Sequence, residues 1–418
     1  MWTNLSALLC ASVSLWFNLF LPASASAQPK VTFPEPKLGT VPNLTQVAVP
    51  PAYAVALSET HGLLAFVHDR SYKEAHVSLV KLDAKGNPAA YCTSWTLPKQ
   101  PESLNKVGVY PINVAFHPKL PLLYVWQDVG LNNAAPLTAQ PPEWAQLDHL
   151  FIYNIAKETP ELLVSLCRGE PFHFGMVGGA LAVDPAGEFL YVPSVCEGKT
   201  RYLHFGRFKL DPDGLPLIDE VDTKLPLPAR VKKLSERNVA KGVAVAQLTP
   251  IEYQFLMPNT TWGGGHGFAF VGKEAIVSSG YNGLVTWRPA DKVATFQGLP
   301  VKGQGQQLFT SHPALPFFFV TTANTDSFYR VAHSEGHLSL LPLQITLPET
   351  RLFSPPAVFD KGSRVAVGGH YHVYVVPLDA EGNPQSNVTK VQVLSPAVRA
   401  LVYSPKFDRL YVGVEVSK

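Results

Sequence analysis

Val114-Ala115-Phe116-His117-Pro118 runs into Leu122-Leu123-Tyr124-Val125, and Leu181-Ala182-Val183-Asp184-Pro185 runs into Phe189-Leu190-Tyr191-Val192. Each stretch reads as an apolar strand, a tight polar turn and a second apolar strand. The phrase occurs seven times, and repetition of a short strand pair marks a β-propeller or solenoid. The second strands end at Val67, Val125, Val192, Val277, Val320, Val367 and Val412, with gaps of 58, 67, 85, 43, 47 and 45 residues. A four-stranded blade takes about 40–50 residues. The last three gaps fit one blade each, and the first three fit one blade plus extra loop. The expected fold is therefore an all-β, seven-bladed β-propeller of four-stranded antiparallel blades, with strands a to d running from the channel outward.

Third strands are also legible. Val77–Leu82, Arg207–Leu210 and Val373–Leu378 run into Asp83-Ala84-Lys85-Gly86, Asp211-Pro212-Asp213-Gly214 and Asp379-Ala380-Glu381-Gly382. These are Asp/Gly turns in which glycine supplies the positive φ. The last repeat has only two strands, Arg399–Ser404 and Arg409–Val414. An open sheet edge there invites aggregation, so the N-terminal part is expected to close the ring, with Thr45–Val49 as strand d and Lys30–Phe33 as strand c. The alternative is a fragment of a longer chain.

Residues 28–418 are expected to form one domain. Residues 1–27 read as a secretory signal: Leu5–Leu21 is apolar, and Ala25-Ser26-Ala27 is a small-residue cleavage site. The protein is thus expected to be secreted or periplasmic, with no membrane span after cleavage. An uncleaved anchor is the alternative, since Met1–Asn4 carries no Lys or Arg. Charged residues make up only 16% and the net charge is +2, which points away from nucleic acid. Cys92, Cys167 and Cys196 are too few for a disulfide framework. One Cys167–Cys196 bridge and three unpaired thiols both fit. Asn43, Asn259 and Asn387 each begin a glycosylation pattern.

The phrase Val183-Asp184-Pro185-Ala186-Gly187-Glu188-Phe189-Leu190-Tyr191-Val192 resembles the repeat of the YVTN/lactonase-like seven-bladed propellers, with weaker copies at Phe319–Asn324 and Tyr403–Val412. No Trp-Asp dipeptide, the mark of WD40 repeats, occurs. The resemblance implies a propeller shared by sugar-acid lactone hydrolases, quinoprotein dehydrogenase propellers and many binding modules. No catalytic motif matches position by position, and fold alone does not assign activity.

In an antiparallel blade the a–b and c–d turns share one face, here the bottom, and the b–c and d–a loops share the top. Long insertions at 127–148 and 219–262 are read as top-face loops, and long loops in compact domains are functional or disordered. The second holds Arg230, Lys232, Lys233, Arg237 and Lys241, either a cap helix with a basic outer side or a solvated charged loop.

Aligning the a-strands on the residue entering from the top gives Tyr53, Ile112, Gly179, His266, Gln307, Pro355 and Arg399. These side chains should converge on the axis. Tyr53, His266, Gln307 and Arg399 are the candidate ligand-binding residues. His266 lies among four glycines, which let backbone approach closely. His266 and Arg399 are also the candidate catalytic pair of a lactonase, with Arg399 polarising the ring carbonyl and His266 activating water. His370-Tyr371-His372 could turn two imidazoles the same way, but a metal wants three or four ligands, so neither metal nor cofactor is expected. His117 and His312 share one a–b turn position and read as structural. The function expected is a monomeric, secreted binding module for a protein, glycan or small molecule; the alternative is a lactonase-type hydrolase.

Overall fold

The computed structural model describes residues 30–32, 36–50, 52–68, 76–97, 108–130, 148–168, 181–196, 202–217, 225–238, 247–248, 252–258, 268–271, 275–280, 283–290, 293–298, 307–322, 326–334, 337–347 and 352–415. It is an all-β propeller. Six blades carry a complete set of four antiparallel strands, starting innermost at Ala52–Ser58, Gly108–Phe116, Ala182–Val183, Phe268–Val271, Gln307–Ser311 and Ala357–Phe359. A further sheet, of Leu401–Ser404, Arg409–Glu415 and one N-terminal strand, has three among the described residues. The expectation of seven four-stranded blades is corrected to six and a three-stranded remainder. All seven marker valines lie on second strands.

Alternation of apolar residues on both faces of each strand lets every sheet bury side chains against two neighbours. Val67 and Val125 share one cluster, Tyr124 and Leu190 the next. Tyr191 meets Phe270 and Trp287 edge-on at 5.5 and 6.2 Å. Leu284 packs with Phe309, Phe319 with Val365, and Phe359 with Val412. Val47 and Phe66 close the circle.

The N-terminal segment departs from expectation. Strand β1 (Lys30–Thr32) pairs with the outer strand of the fifth blade, and β2 (Lys37–Leu38) with that of the sixth. Strand β3 (Leu44–Val49) pairs directly with Arg409–Glu415. Thus β3 takes the third position of its sheet, not the fourth, and Lys30–Thr32 belongs to a different blade. All three run parallel to their partners. A hairpin-linked strand is forced antiparallel, but a segment arriving from elsewhere in the chain is not.

The second insertion is also displaced. The fourth strand of the third blade is Glu252–Pro258, paired with Tyr202–Lys209. The described part of 219–251 therefore lies between strands c and d, an excursion that leaves from the bottom, whereas the insertion within 127–148 is a b–c loop of the top. Helix α1 (Leu227–Asn238) lies in that excursion and packs beside Glu161–Arg168. Leu227 and Val231 join the cluster of Tyr124 and Leu215. Arg230, 3% exposed, bonds both Asp211 and Asp213 of the Asp-Pro-Asp-Gly turn. A desolvated guanidinium needs such carboxylates, which is why the helix docks there.

Polar latches join neighbouring blades along the bottom. His117 Nδ1 accepts from the backbone N–H groups of Lys119 and Leu120, so the ring proton sits on Nε2, which donates to the Gly187 carbonyl at 3.2 Å. His312 repeats this with Ala314, Leu315 and the Gly362 carbonyl. The hydroxyls of Tyr124 and Tyr411 donate to the carbonyls of Gly214 and Gly86 at 2.6 and 2.7 Å. The structural reading of the two histidines holds.

Candidate functional site

On the top face, the sixth blade meets the three-stranded sheet. Three segments converge there: the connection at 352–356, the b–c turn at 369–371 and the connection at 393–400. Hydrogen bonds tie them together. Phe353 N–H donates to the Gly368 carbonyl, Gly368 N–H to Ser354 Oγ, and Val398 N–H to the Gly369 carbonyl, at 2.7–3.0 Å. A Cβ on Gly368 would lie 2.5 Å from the Val398 carbonyl oxygen, so only glycine allows this approach.

This framework brings Arg399 to the start of the innermost strand of its sheet. Its guanidinium carbon lies 5.6 Å from the centre of the Phe353 ring. The ring's negative face attracts the cation and holds the fork in place. His370 meets the same ring edge-on, with centroids 4.6 Å apart and planes at 82°. His370 Nδ1 lies 2.6 Å from the Pro396 carbonyl oxygen. A carbonyl only accepts, so Nδ1 carries a proton, and in the neutral ring Nε2 keeps a lone pair. The result is a fixed cation and an oriented imidazole on one aromatic ring.

Tyr371 adds a strained element. Its φ is +54° and it is 53% exposed. A left-handed tyrosine costs about 1–3 kcal/mol and persists where neighbours over-determine it. Here the Tyr371 N–H donates to the Ser395 carbonyl, and its own carbonyl accepts from the Val393 N–H.

No protein-family model matches the sequence, and no curated protein matches it. Solved structures do. A putative 6-phosphogluconolactonase from Bacteroides fragilis aligns with a TM-score of 0.52 at 11% identity, over 83% of this chain and 86% of the other. The periplasmic gluconolactonase of Pseudomonas aeruginosa gives 0.51 at 12%, over 84% and 88%. A chain of a mitotic checkpoint complex gives 0.51 at 12%, over 94% of each. The likeness is one of fold.

Of the four ligand residues expected from the sequence, Arg399 alone has a described side chain. Tyr53 falls at a register shift of the first innermost strand, and Gln307 opens that of the fifth blade opposite Thr322; neither side chain is among those described. His266 lies outside the described residues, as do Gly179 and residues 1–29. The paired-imidazole reading of His370 and His372 is corrected. The strand starts only at His372, and left-handed Tyr371 breaks the alternation. His372 Nδ1 bonds the His370 carbonyl at 2.6 Å instead. Phe353 was not foreseen. Its signal was its place two residues ahead of Pro355 in the same column, one blade before Arg399.

Proposed function

We propose that this chain is an exported propeller that binds a small anionic, hydroxyl-bearing molecule at its top face, and that the three-stranded sheet counts as a seventh sector of the ring. The observation that carries the reading is the Arg399 guanidinium over the Phe353 ring, 5.6 Å from its centre, with His370 edge-on to the same ring. A guanidinium fork suits a carboxylate or phosphate, and the Nε2 lone pair suits a hydroxyl donor. Export rests on the apolar Leu5–Leu21 run and the Ala25-Ser26-Ala27 site. Tyr53, His266 and Gln307 would complete the ring of contacts.

A second reading is favoured by the fold shared with two proteins described as lactonases. In it Arg399 polarises a lactone carbonyl and an imidazole, His266 or His370, activates water. One experiment separates the two: calorimetry with gluconate and a pH-stat assay with glucono-lactone, on wild type and Arg399→Gln. Binding without turnover, weakened about tenfold to a hundredfold in the variant, supports the binding module; a charged hydrogen bond contributes about 1.5–3 kcal/mol. Turnover lost in the variant supports the hydrolase. Binding or turnover indifferent to the substitution rejects the site.

A further inference from the structure

The first blade carries a line of polar side chains on its face toward the three-stranded sheet. His68 ends the second strand, at the top. Ser78 lies on the third strand (His76–Leu82) and Ser94 on the fourth (Pro88–Thr96). His68 pairs across with His76, and Ser78 with Ser94. Period-two alternation therefore turns His68, Ser78 and Ser94 to one face. They are hydrogen-bonded in series: Ser78 Oγ bonds His68 Nε2 on one side and Ser94 Oγ on the other. We infer that Ser94 is an activated nucleophile, acylated by uncharged carboxylic esters, with His68 taking its proton through Ser78. None of the residues of the Arg399 site takes part.

Three observations support this role. First, burial runs the right way along the chain. His68 is 1% exposed and Ser78 is fully buried, whereas Ser94 is exposed. A sheltered base coupled to a reachable hydroxyl is what an activated serine requires.

Second, packing does not call for these residues. Lower on the same face, Leu64, Phe66 and Val80 pack against Val47, Val49 and Tyr411. Apolar side chains could continue that contact at the positions of His68 and Ser78 at little cost. A buried imidazole and hydroxyl are tolerated only when bonded, and here both bonds lie on the path to Ser94.

Third, the face carries no fixed charge. From the second to the fourth strand its described side chains are Leu64, Phe66, His68, His76, Ser78, Val80, Leu82, Ser94 and Thr96. The titratable groups near His68 are His76, whose Nδ1 lies 3.3 Å from Thr96 Oγ1, and Tyr411 across the sheet contact. Such a surface suits an uncharged ester, not an anion.

With the ring proton on Nδ1, His68 Nε2 accepts from Ser78, and Ser78 accepts from Ser94. Ser94 Oγ attacks the acyl carbon. Its proton moves to Ser78 Oγ as the Ser78 proton moves to His68 Nε2. The bond between acyl carbon and alcohol oxygen breaks. That oxygen leaves with the electron pair and takes a proton from water, while the imidazolium gives one up to water. The acyl group stays on Ser94 as an ester.

The test uses the full chain with two electrophiles, an ethoxy fluorophosphonate and p-nitrophenyl acetate, and tandem mass spectrometry to place the adduct. Expected is one adduct, on Ser94, from either reagent, and none there in Ser94→Ala. General-base help contributes about 10²–10⁴-fold. Ser78→Ala keeps Ser94 but cuts the chain, so it should slow labelling at least about a hundredfold. Ser78→Thr keeps a hydroxyl and should restore most of the rate. Wild-type labelling should rise with pH as an imidazole titrates and then level off, which reads the base without any variant. The inference is overturned by no adduct on Ser94, by an adduct whose rate ignores Ser78→Ala, or by a rate that climbs with hydroxide and shows no plateau.

Discussion

Replacing Arg230 by methionine tests where the large insertion docks. The guanidinium is buried between Asp211, whose side chain is 4% exposed, and Asp213, whose side chain is 44% exposed. Removing one partner of a buried ion pair costs about 3–5 kcal/mol, because the other charge is stranded. The contact with half-exposed Asp213 adds little, under about 1 kcal/mol. Asp211 also keeps the N–H groups of Asp213 and Leu215 at 2.8 and 3.0 Å, which places the loss near the lower end, about 3 kcal/mol. Undocking α1 caps it, since water can then reach Asp211. Urea unfolding would measure the total, and hydrogen exchange over 225–238 would show whether the helix is released. Asp211→Asn in the same chain should recover part of the loss, since no charge is then left buried. If Arg230→Met stays within about 0.5 kcal/mol of wild type, as ordinary surface changes do, with the helix equally protected, the latch and the bottom-side placement are wrong.

Acid should loosen the ring. Burial pushes His117 and His312 below the ordinary imidazole value of 6.5. For a base held neutral in the fold, the unfolded chain takes the proton first, so stability is full above 6.5 and falls as pH drops through it. Each histidine contributes a slope of up to about 1.4 kcal/mol per pH unit, ending at its lower folded pKa; urea midpoints between pH 7.5 and 4.5 would show it, and His117→Gln should make it shallower by that residue's share. Gly86→Ala should cost about 3 kcal/mol by urea titration, because its Cβ would sit 2.6 Å from Phe407 at a φ of +77°. Gly62→Ala is the control. Its φ is +61° but the nearest atom is 3.4 Å away, so only the backbone cost of about 1 kcal/mol remains.

The blade repeat was legible because both faces of each strand are apolar and each turn has its own chemistry. Val114–Phe116 and Leu122–Val125 announce a hairpin without help from the rest of the chain. Parallel strand addition leaves no such mark. Nothing local in Leu44–Val49 says that it pairs with Arg409–Glu415, and hairpin logic would place it one position farther out. The topology of the third blade was hidden in the same way. The Asp211–Gly214 turn reads as a c–d hairpin, yet the bridge Leu210 to Pro216 closes it at once and strand d comes about 40 residues later, at Glu252. At the top face Arg399 was visible from its column. Its setting on Phe353 was not, because that ring belongs to the preceding blade and the two meet only once the sheets are packed.

Strands β1 to β3 are made before the blades, yet their partners at 344–346, 389–390 and 410–415 are made only after most of the blades. During synthesis the leading segment must wait, unpaired, while the blades behind it form one by one. Circle completion is therefore a late, long-range event whose loop entropy spans nearly the whole polypeptide. A circular permutant that moves residues 30–50 behind residue 415 would bring the waiting strands next to their mates and should fold faster than the natural order.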